Sequence, residues 1–221
     1  MTNPDFLDRL STGDRVALEA LLVVRDYAQG EVVISHLDED RDVFFVLEGR
    51  VRATLYSQNG SEVGYRDIGP GDVVGELAAI DGAPRSATVE ALEPTRLGHM
   101  SAAAFLELVE TSAGLNVILL EHLTAQIRRL TERVFEFSTL RVRDRLIREL
   151  LRQAEETGAR TGRAEIRPAP TQVALAARIS SHREVVSREM SALAKAGLVK
   201  KRGGALIISS LTELNAVQEI Q

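Results

Sequence analysis

The densest chemistry in the 221-residue chain lies in GPGDVVGELAAIDGAPRSATVEAL, residues 69–92. Here Gly75-Glu76 opens a short helical turn, and a loop carrying Arg85-Ser86 leads into a strand. Backbone N–H groups and the positive end of a helix dipole attract an anion. The Arg85 guanidinium is a planar fork matched to phosphate oxygens, and Glu76 can accept from a sugar hydroxyl. Gly69, Gly71 and Gly75 are spaced GxGxxxG with no strand-helix-strand unit around them, which excludes a dinucleotide fingerprint. A second cluster sits in HREVVSREMSALAKAG, where Arg183, Glu184, Ser187 and Arg188 form a polar surface at the start of an amphipathic helix. Val185, Val186, Met190 and Leu193, with Leu198 beyond them, can serve a core. Arginine matches the O6 and N7 acceptors of guanine and glutamate accepts from cytosine N4, so this surface can read a major groove; the bland alternative is a solvated face.

The elements that must hold these residues divide the chain. Residues 4–22 show helical spacing, with Ser11 or Thr12 as N-cap of the second piece. From Val23 to about Met100 run brief β-branched segments broken by glycine: EVVIS, DVFFVLEG, RVRATLYS, EVGYRDIG, SATVEAL and TRLGHM. Short strands at regular intervals predict a β-sandwich or barrel, with Asn59-Gly60 as the strongest hairpin signal. Helical pattern returns with SAAAFLELVE and a long segment from about Leu115. Within it Leu123, Ile127, Leu130, Val134 and Phe137 are spaced 4, 3, 4, 3, a seam that wants a partner helix or packs on the chain's own β-domain. After a break near 137–140 come RDRLIRELLRQAEET, a Gly/Arg-rich connector, then TQVALAARI and HREVVSREMSALAKAG joined by Ser180-Ser181, whose side chains can cap the second helix. LVKKR, Gly203-Gly204 and ALIIS read as a hairpin, followed by a short helix.

The net charge of -5 conceals an asymmetry. Residues 140–221 hold 15 Lys+Arg against 9 Asp+Glu, leaving 12 against 23 for residues 1–139. A basic module behind an acidic one suits phosphate neutralisation, although an ordinary solvated surface has the same balance. With no cysteine, disulfides, thiolate zinc sites and cysteine-ligated clusters are excluded, and a cytoplasmic, soluble protein is expected. The N-terminus lacks a signal peptide pattern, and no apolar run approaches the roughly 20 residues of a membrane span, so no membrane partner is expected.

The segment 75–87 resembles the phosphate-binding cassette of cyclic-nucleotide-binding domains, GELAxxxxxPRxA, through Gly75, Glu76, Leu77, Ala78, Pro84, Arg85 and Ala87. The resemblance implies that Glu76 holds the ribose 2′-OH and Arg85 the cyclic phosphate, with Gly75, Leu77, Ala78 and Ser86 lining the phosphate. GEVVIS, FFVLEGRVR and the Gly69-Pro70-Gly71-Asp72 turn stand where that family's β-roll places them. In two places the chain departs: His36-Leu37-Asp38-Glu39 stands where a glycine is usual, and the adenine-contacting hydroxyl pair of the long helix falls on Leu130 and Thr131, of which only Thr131 keeps a hydroxyl. A roll that has kept the fold but binds something else is the alternative.

The C-terminal segment is similar to the winged DNA-binding domain of the cyclic-AMP receptor/fumarate-nitrate regulator (CRP/FNR) family. That likeness implies base reading by Arg183, Glu184 and Arg188, phosphate contacts at Thr171, Ser181 and His182, and TGTGA-like half-sites in a palindrome. Over the whole chain it implies an α+β protein: a cyclic-nucleotide-binding β-roll of jelly-roll type with its helical preamble (1–112), a long dimerisation helix (113–139) presenting Leu123, Ile127, Leu130, Val134 and Phe137, and a winged helix-turn-helix (140–221). The expected ligand is cyclic AMP, with cyclic GMP as the second choice. The expected partners are double-stranded DNA, a second copy of the chain, and RNA polymerase, which basic stretches in 157–168 could touch. A family member answering another effector, or binding DNA without one, is the alternative reading. His36, His99, His122 and His182 show no axial-ligand pairing, so neither haem nor metal nor iron-sulfur cluster is expected. A cyclic-nucleotide-controlled enzyme or kinase subunit would share the cassette but not the winged helix, and no catalytic constellation is evident.

Overall fold

The computed structural model describes residues 5–56 and 62–218. It falls into two compact units, the first ending at Arg128 and the second beginning at Arg129. The expected Asn59-Gly60 turn lies outside the described residues.

The first unit opens with a helical turn at Leu7–Arg9 and α1 (Thr12–Glu19), which Ser11 caps by accepting from the Asp14 N–H at 3.1 Å. Eight strands follow: β1 (Val23–Tyr27), β2 (Val32–Ile34), β3 (Val43–Glu48), β4 (Val51–Tyr56), β5 (Glu62–Ile68), β6 (Val73–Val74), β7 (Thr88–Ala91) and β8 (Thr95–Met100). They form two antiparallel four-stranded sheets, β1-β8-β3-β6 and β2-β7-β4-β5, a β-roll. β3 shows why the sequence takes this form. Its side chains alternate, Val43 and Phe45 joining Phe6, Phe105 and Leu115 on one face, Phe44 and Val46 joining Ile34, Val74 and Leu97 on the other. A strand covered on both faces needs an uninterrupted apolar run, and VFFV supplies it. Between β6 and β7 lies α2 (Glu76–Asp81); after β8 come α3 (Ala102–Thr111), capped by Ser101, and α4 (Ala113–Thr139). At 1.5 Å per residue α4 is about 40 Å long. No single helix among the described residues is long and apolar enough to cross a membrane.

The loop between β2 and β3 is built without the usual glycine. Leu37 takes the left-handed conformation there, φ 71°, with its side chain exposed. That conformation costs a β-carbon-bearing residue about 1–2 kcal/mol, and glycine loses part of the gain through a more flexible unfolded chain. Leu37→Gly is therefore expected to raise stability by up to about 1 kcal/mol, read as an upward shift of the urea midpoint.

In the second unit α5 (Val142–Glu156), α6 (Gln172–Arg178), α7 (Arg183–Lys195) and α8 (Leu211–Ala216) pack with the sheet β10-β11-β9, made of β9 (Ala164–Ile166), β10 (Val199–Arg202) and β11 (Ala205–Ile208). Leu146, Leu150, Leu175, Val186, Leu193 and Leu206 form its core. The β10–β11 hairpin turns on Gly203 (φ 56°) and Gly204 (φ 74°), the pair of positive angles that a two-residue turn requires. Two expectations are corrected. The Gly/Arg-rich connector is not wholly loop, since its Ala164 and Ile166 are buried in β9 against β11. Nor does a serine cap α7: Ser180 turns left-handed at φ 50°, leaving His182 at the N-cap without a side-chain hydrogen bond.

Candidate nucleotide pocket and nucleic-acid interface

In the roll, β6 delivers the chain to Gly75, the N-cap of α2, at φ 90°. A β-carbon there would stand 2.8 Å from Arg85 Nη1 and 2.9 Å from the Asp42 carbonyl oxygen, so only glycine lets the turn close on the guanidinium. Glu76, one residue on, is buried, and burial pushes its carboxyl above the usual range; the hydrogen bond donated by Gln126 Nε2 at 3.0 Å opposes the shift without cancelling it. Gln126 Nε2 is also 2.7 Å from His122 Nε2, so a polar chain runs from α4 to the cassette glutamate.

Arg85 is 2% exposed. Its Nη1 donates to Gly75 O at 3.1 Å, and its Nη2 donates to Asp42 O at 2.7 Å and to the Asp40 carboxylate at 2.8 Å. Phe44 lies beneath it, ring centroid 5.9 Å from Cζ. Its Nε–H is buried with no hydrogen-bond partner among the described residues. A buried donor in that state carries a desolvation cost until an acceptor arrives.

Glu76, Arg85 and Gln126 face one cleft. Gly75, Glu76, Leu77, Ala78, Arg85 and Ser86 all line it, together with apolar wall residues such as Ile34 and Val89. Six of the seven residues expected at a ligand are thus brought together. Thr131, the seventh, is exposed on α4 and is not among the lining residues, where α4 is represented by Gln126. Pattern reading missed Gln126, Arg66 and Asp40. A glutamine four residues after His122 on an otherwise apolar helix face was the signal for the first; the other two approach through tertiary contact and left none.

In the second unit α6 and α7 form a helix pair through a tight corner, with the Ser181 N–H donating to Ala176 O at 2.9 Å. Thr171 caps α6, its Oγ1 accepting from the Ala174 N–H at 3.0 Å. Val186, Met190 and Leu193 turn inward, and the opposite face of α7 leaves His182, Arg183, Glu184 and Arg188 exposed, with Ser181 half-buried. Arg183 and Ser187, like Glu184 and Arg188, are four apart and share that face. β10 adds exposed Lys200, Lys201 and Arg202. A family model described as a cyclic nucleotide-binding domain matches residues 24–112, and one described as a Crp-like helix-turn-helix domain matches residues 144–217; together they cover well over half of the chain. The chain belongs to the CRP/FNR family of transcription regulators.

Relatives of this CRP/FNR protein divide by what they cover. A CRP-like cAMP-activated global transcriptional regulator of Mycobacterium tuberculosis is 24% identical over 199 residues, 90% of this chain and 89% of that one. A cAMP-dependent protein kinase regulatory subunit of Mycosarcoma maydis is 36% identical over 113 residues, but this match spans 49% of the CRP/FNR chain and only 21% of the kinase subunit. Among solved structures, the c-di-GMP responsive global regulator CLP of Xanthomonas campestris shares the fold at TM-score 0.77, with 21% identity over 90% of this chain and 99% of that one.

The CRP/FNR chain also carries a buried ionic cluster in its second unit that pattern reading did not find. Glu149 on α5 is 1% exposed and accepts from Arg133 Nη2 of α4 at 3.1 Å, Arg152 Nη2 at 3.1 Å, Arg178 Nη1 of α6 at 3.2 Å and Gln153 Nε2 at 2.9 Å. Arg133 Nη1 also donates to the Arg178 carbonyl oxygen at 3.0 Å. Glu136, likewise buried, accepts from Arg152 at 2.8 Å. The end of the long helix is thereby tied, within this unit, to the first helix of the DNA-reading pair. Along α4 the expected seam is split: Leu123 is half-buried against the roll core, whereas Ile127, Leu130, Val134 and Phe137 are 40–64% exposed in the single chain.

Proposed function

We propose that this CRP/FNR protein is a homodimeric regulator that binds cyclic AMP in the cleft of its roll and, so loaded, reads palindromic DNA with TGTGA-like half-sites. The observation that carries the reading is the buried Arg85 guanidinium, lining the cleft with its Nε–H unsatisfied among the described residues and Glu76 beside it. A phosphodiester oxygen satisfies that donor, and a ribose hydroxyl donating to Glu76 offsets the cost of burying its charge. Ser86, Gly75, Leu77 and Ala78 surround the phosphate. Thr131 is assigned to the base by family resemblance alone. Cyclic AMP is preferred because a relative that covers 90% of this chain is described as cAMP-activated. Cyclic GMP is the second reading, favoured by Arg66, a second guanidinium lining the cleft whose fork matches guanine O6 and N7.

The row Ile127, Leu130, Val134 and Phe137 supports self-association, since four large apolar side chains at heptad spacing are otherwise left in water. Two recognition helices are then presented together. Arg183 and Arg188 take guanine edges, Glu184 accepts from cytosine, and Thr171, Ser181 and His182 meet phosphates. Its DNA partner assigns the protein to the cytoplasm. Exposed Arg160, Arg163 and Arg167 are the basic groups in 157–168 that a polymerase could meet. No catalytic role is assigned.

Ligand and DNA must reinforce each other by the same factor. Calorimetric titration with cyclic AMP and cyclic GMP, repeated with a palindromic duplex present, is expected to show tighter nucleotide binding on DNA; equal operator affinity with and without either nucleotide refutes the sensor reading. Arg183→Ala is expected to cost about 1–3 kcal/mol at each half-site and to relax selectivity there, measured by competition between matched and mismatched duplexes. Selection from random DNA is expected to return TGTGA-like half-sites.

A further inference from the structure

The loop that follows β2 brings a carboxylate onto the cassette arginine. Asp40 Oδ2 lies 2.8 Å from Arg85 Nη2, and the two are very unequally placed: Arg85 is 2% exposed and Asp40 56%. The loop is fastened to the arginine's own backbone, the Leu37 N–H donating to Arg85 O at 3.1 Å and the Arg85 N–H donating to Asp38 O at 2.9 Å. Asp40 Oδ1 accepts from the Asp42 N–H at 3.2 Å, which orients the carboxylate, and Asp42 itself is held by His99 at 3.0 Å and by the Ala102 N–H at 3.3 Å. Burial would raise the Asp40 carboxyl, but the hydrogen bond from Arg85, the Asp42 and Arg41 N–H groups and the Arg85 charge together outweigh it and hold the group below its ordinary range, so it is anionic near neutrality. Of the other charged groups in the cleft, Arg66 pairs with Asp72, and Glu76 accepts from the neutral Gln126 amide.

We propose that Asp40 is a specificity-determining residue that makes the cleft selective for singly charged phosphodiesters over doubly charged phosphomonoesters. This rests on the reading of the cleft as a cyclic-nucleotide site. Arg85 can offset one negative charge on a ligand, and Asp40 already claims part of that charge. A cyclic phosphodiester brings one negative charge; a 5′-mononucleotide, with a second pKa of about 6, brings nearly two near neutrality. The second charge meets an Arg85 whose positive charge Asp40 already shares, and with Asp40 56% exposed the added repulsion weakens binding about several-fold. Discrimination comes from a built-in repulsion as well as from the attraction of the fork.

The test is titration calorimetry on the full chain at pH 7.5 and fixed salt with three probes: cyclic AMP, 5′-AMP, and the methyl ester of 5′-AMP, an open-chain phosphodiester with one charge fewer than 5′-AMP. Asp40→Asn keeps the acceptor for the Asp42 N–H and removes the charge. It is expected to improve 5′-AMP binding about several-fold more than it improves binding of the methyl ester or of cyclic AMP. Asp40→Ala is expected to repeat the pattern, with thermal unfolding confirming that both variants fold. Equal improvement for all three probes, or none, overturns the role given to Asp40. Arg85→Ala separates this from the reading beneath it. Where cyclic AMP binding disappears in that variant while Asp40→Asn leaves the ratios unchanged, only the Asp40 assignment falls; where wild type takes up no cyclic nucleotide, both fall.

Discussion

Arg85→Ala is expected to weaken cyclic-nucleotide binding by at least about a hundredfold, to the point where no response of operator binding is measurable. Loss of one partner of a buried, hydrogen-bonded charge pair costs about 2–5 kcal/mol or more, and here the lost partner is the cleft's one fully buried cation among the described residues. Arg85→Lys separates charge from shape: lysine keeps the positive charge but not the fork that serves Gly75 O, Asp42 O and Asp40 together, so binding recovers only in part. Weak DNA binding that falls with salt is expected to persist in both variants, because the phosphate contacts of the second unit are untouched. Unchanged nucleotide affinity in Arg85→Ala would refute the assignment of the cassette.

The second large effect is on stability. Glu149→Gln removes the one negative charge that Arg133, Arg152 and Arg178 share, and is expected to destabilise the second unit by about 3 kcal/mol, at the lower end for a broken buried ion pair because Arg152 is partly exposed. Burial alone would raise the Glu149 carboxyl, but Arg133, Arg178, the Gln153 hydrogen bond and Arg152 together outweigh it and bring the folded-state value below the ordinary 4.5. A depressed carboxylate stabilises fully above its unfolded pKa, and the contribution is lost as pH falls through the lower folded value. The gap between wild type and Glu149→Gln should therefore close on acidification. Urea midpoints across pH 3–7, with hydrogen exchange of the 142–217 amides, check both size and location; a pH-independent gap would show that lost packing, not charge, is responsible.

What could be read in advance follows from the range of the interactions. Strand β3 and helix α4 declare themselves because burial on both faces of one and a continuous run of periodic residues in the other are local properties. The cassette is legible for the same reason: Gly75, Glu76 and Arg85 sit within a dozen residues. β6 and β9, two and three residues long, are too short for any period to show, and β9 takes its place only because β11 is there to pair with it. Asp40 reaches Arg85 across 45 positions and Arg133 reaches Glu149 across 16, so neither contact leaves a local trace. Gln126 is intermediate. Its spacing from His122 was visible, but its purpose depends on Glu76, 50 positions away.

The outer strand of the small sheet carries one further implication. Among the described residues β10 pairs with β11 on one side only and is an edge strand, the usual starting point for unwanted strand pairing between molecules. Lys200, Lys201 and Arg202 crowd that edge with three like charges, and two such edges repel each other. The same charges would attract a polyanion such as duplex DNA, so neutralising these side chains should cost colloidal stability and duplex retention together.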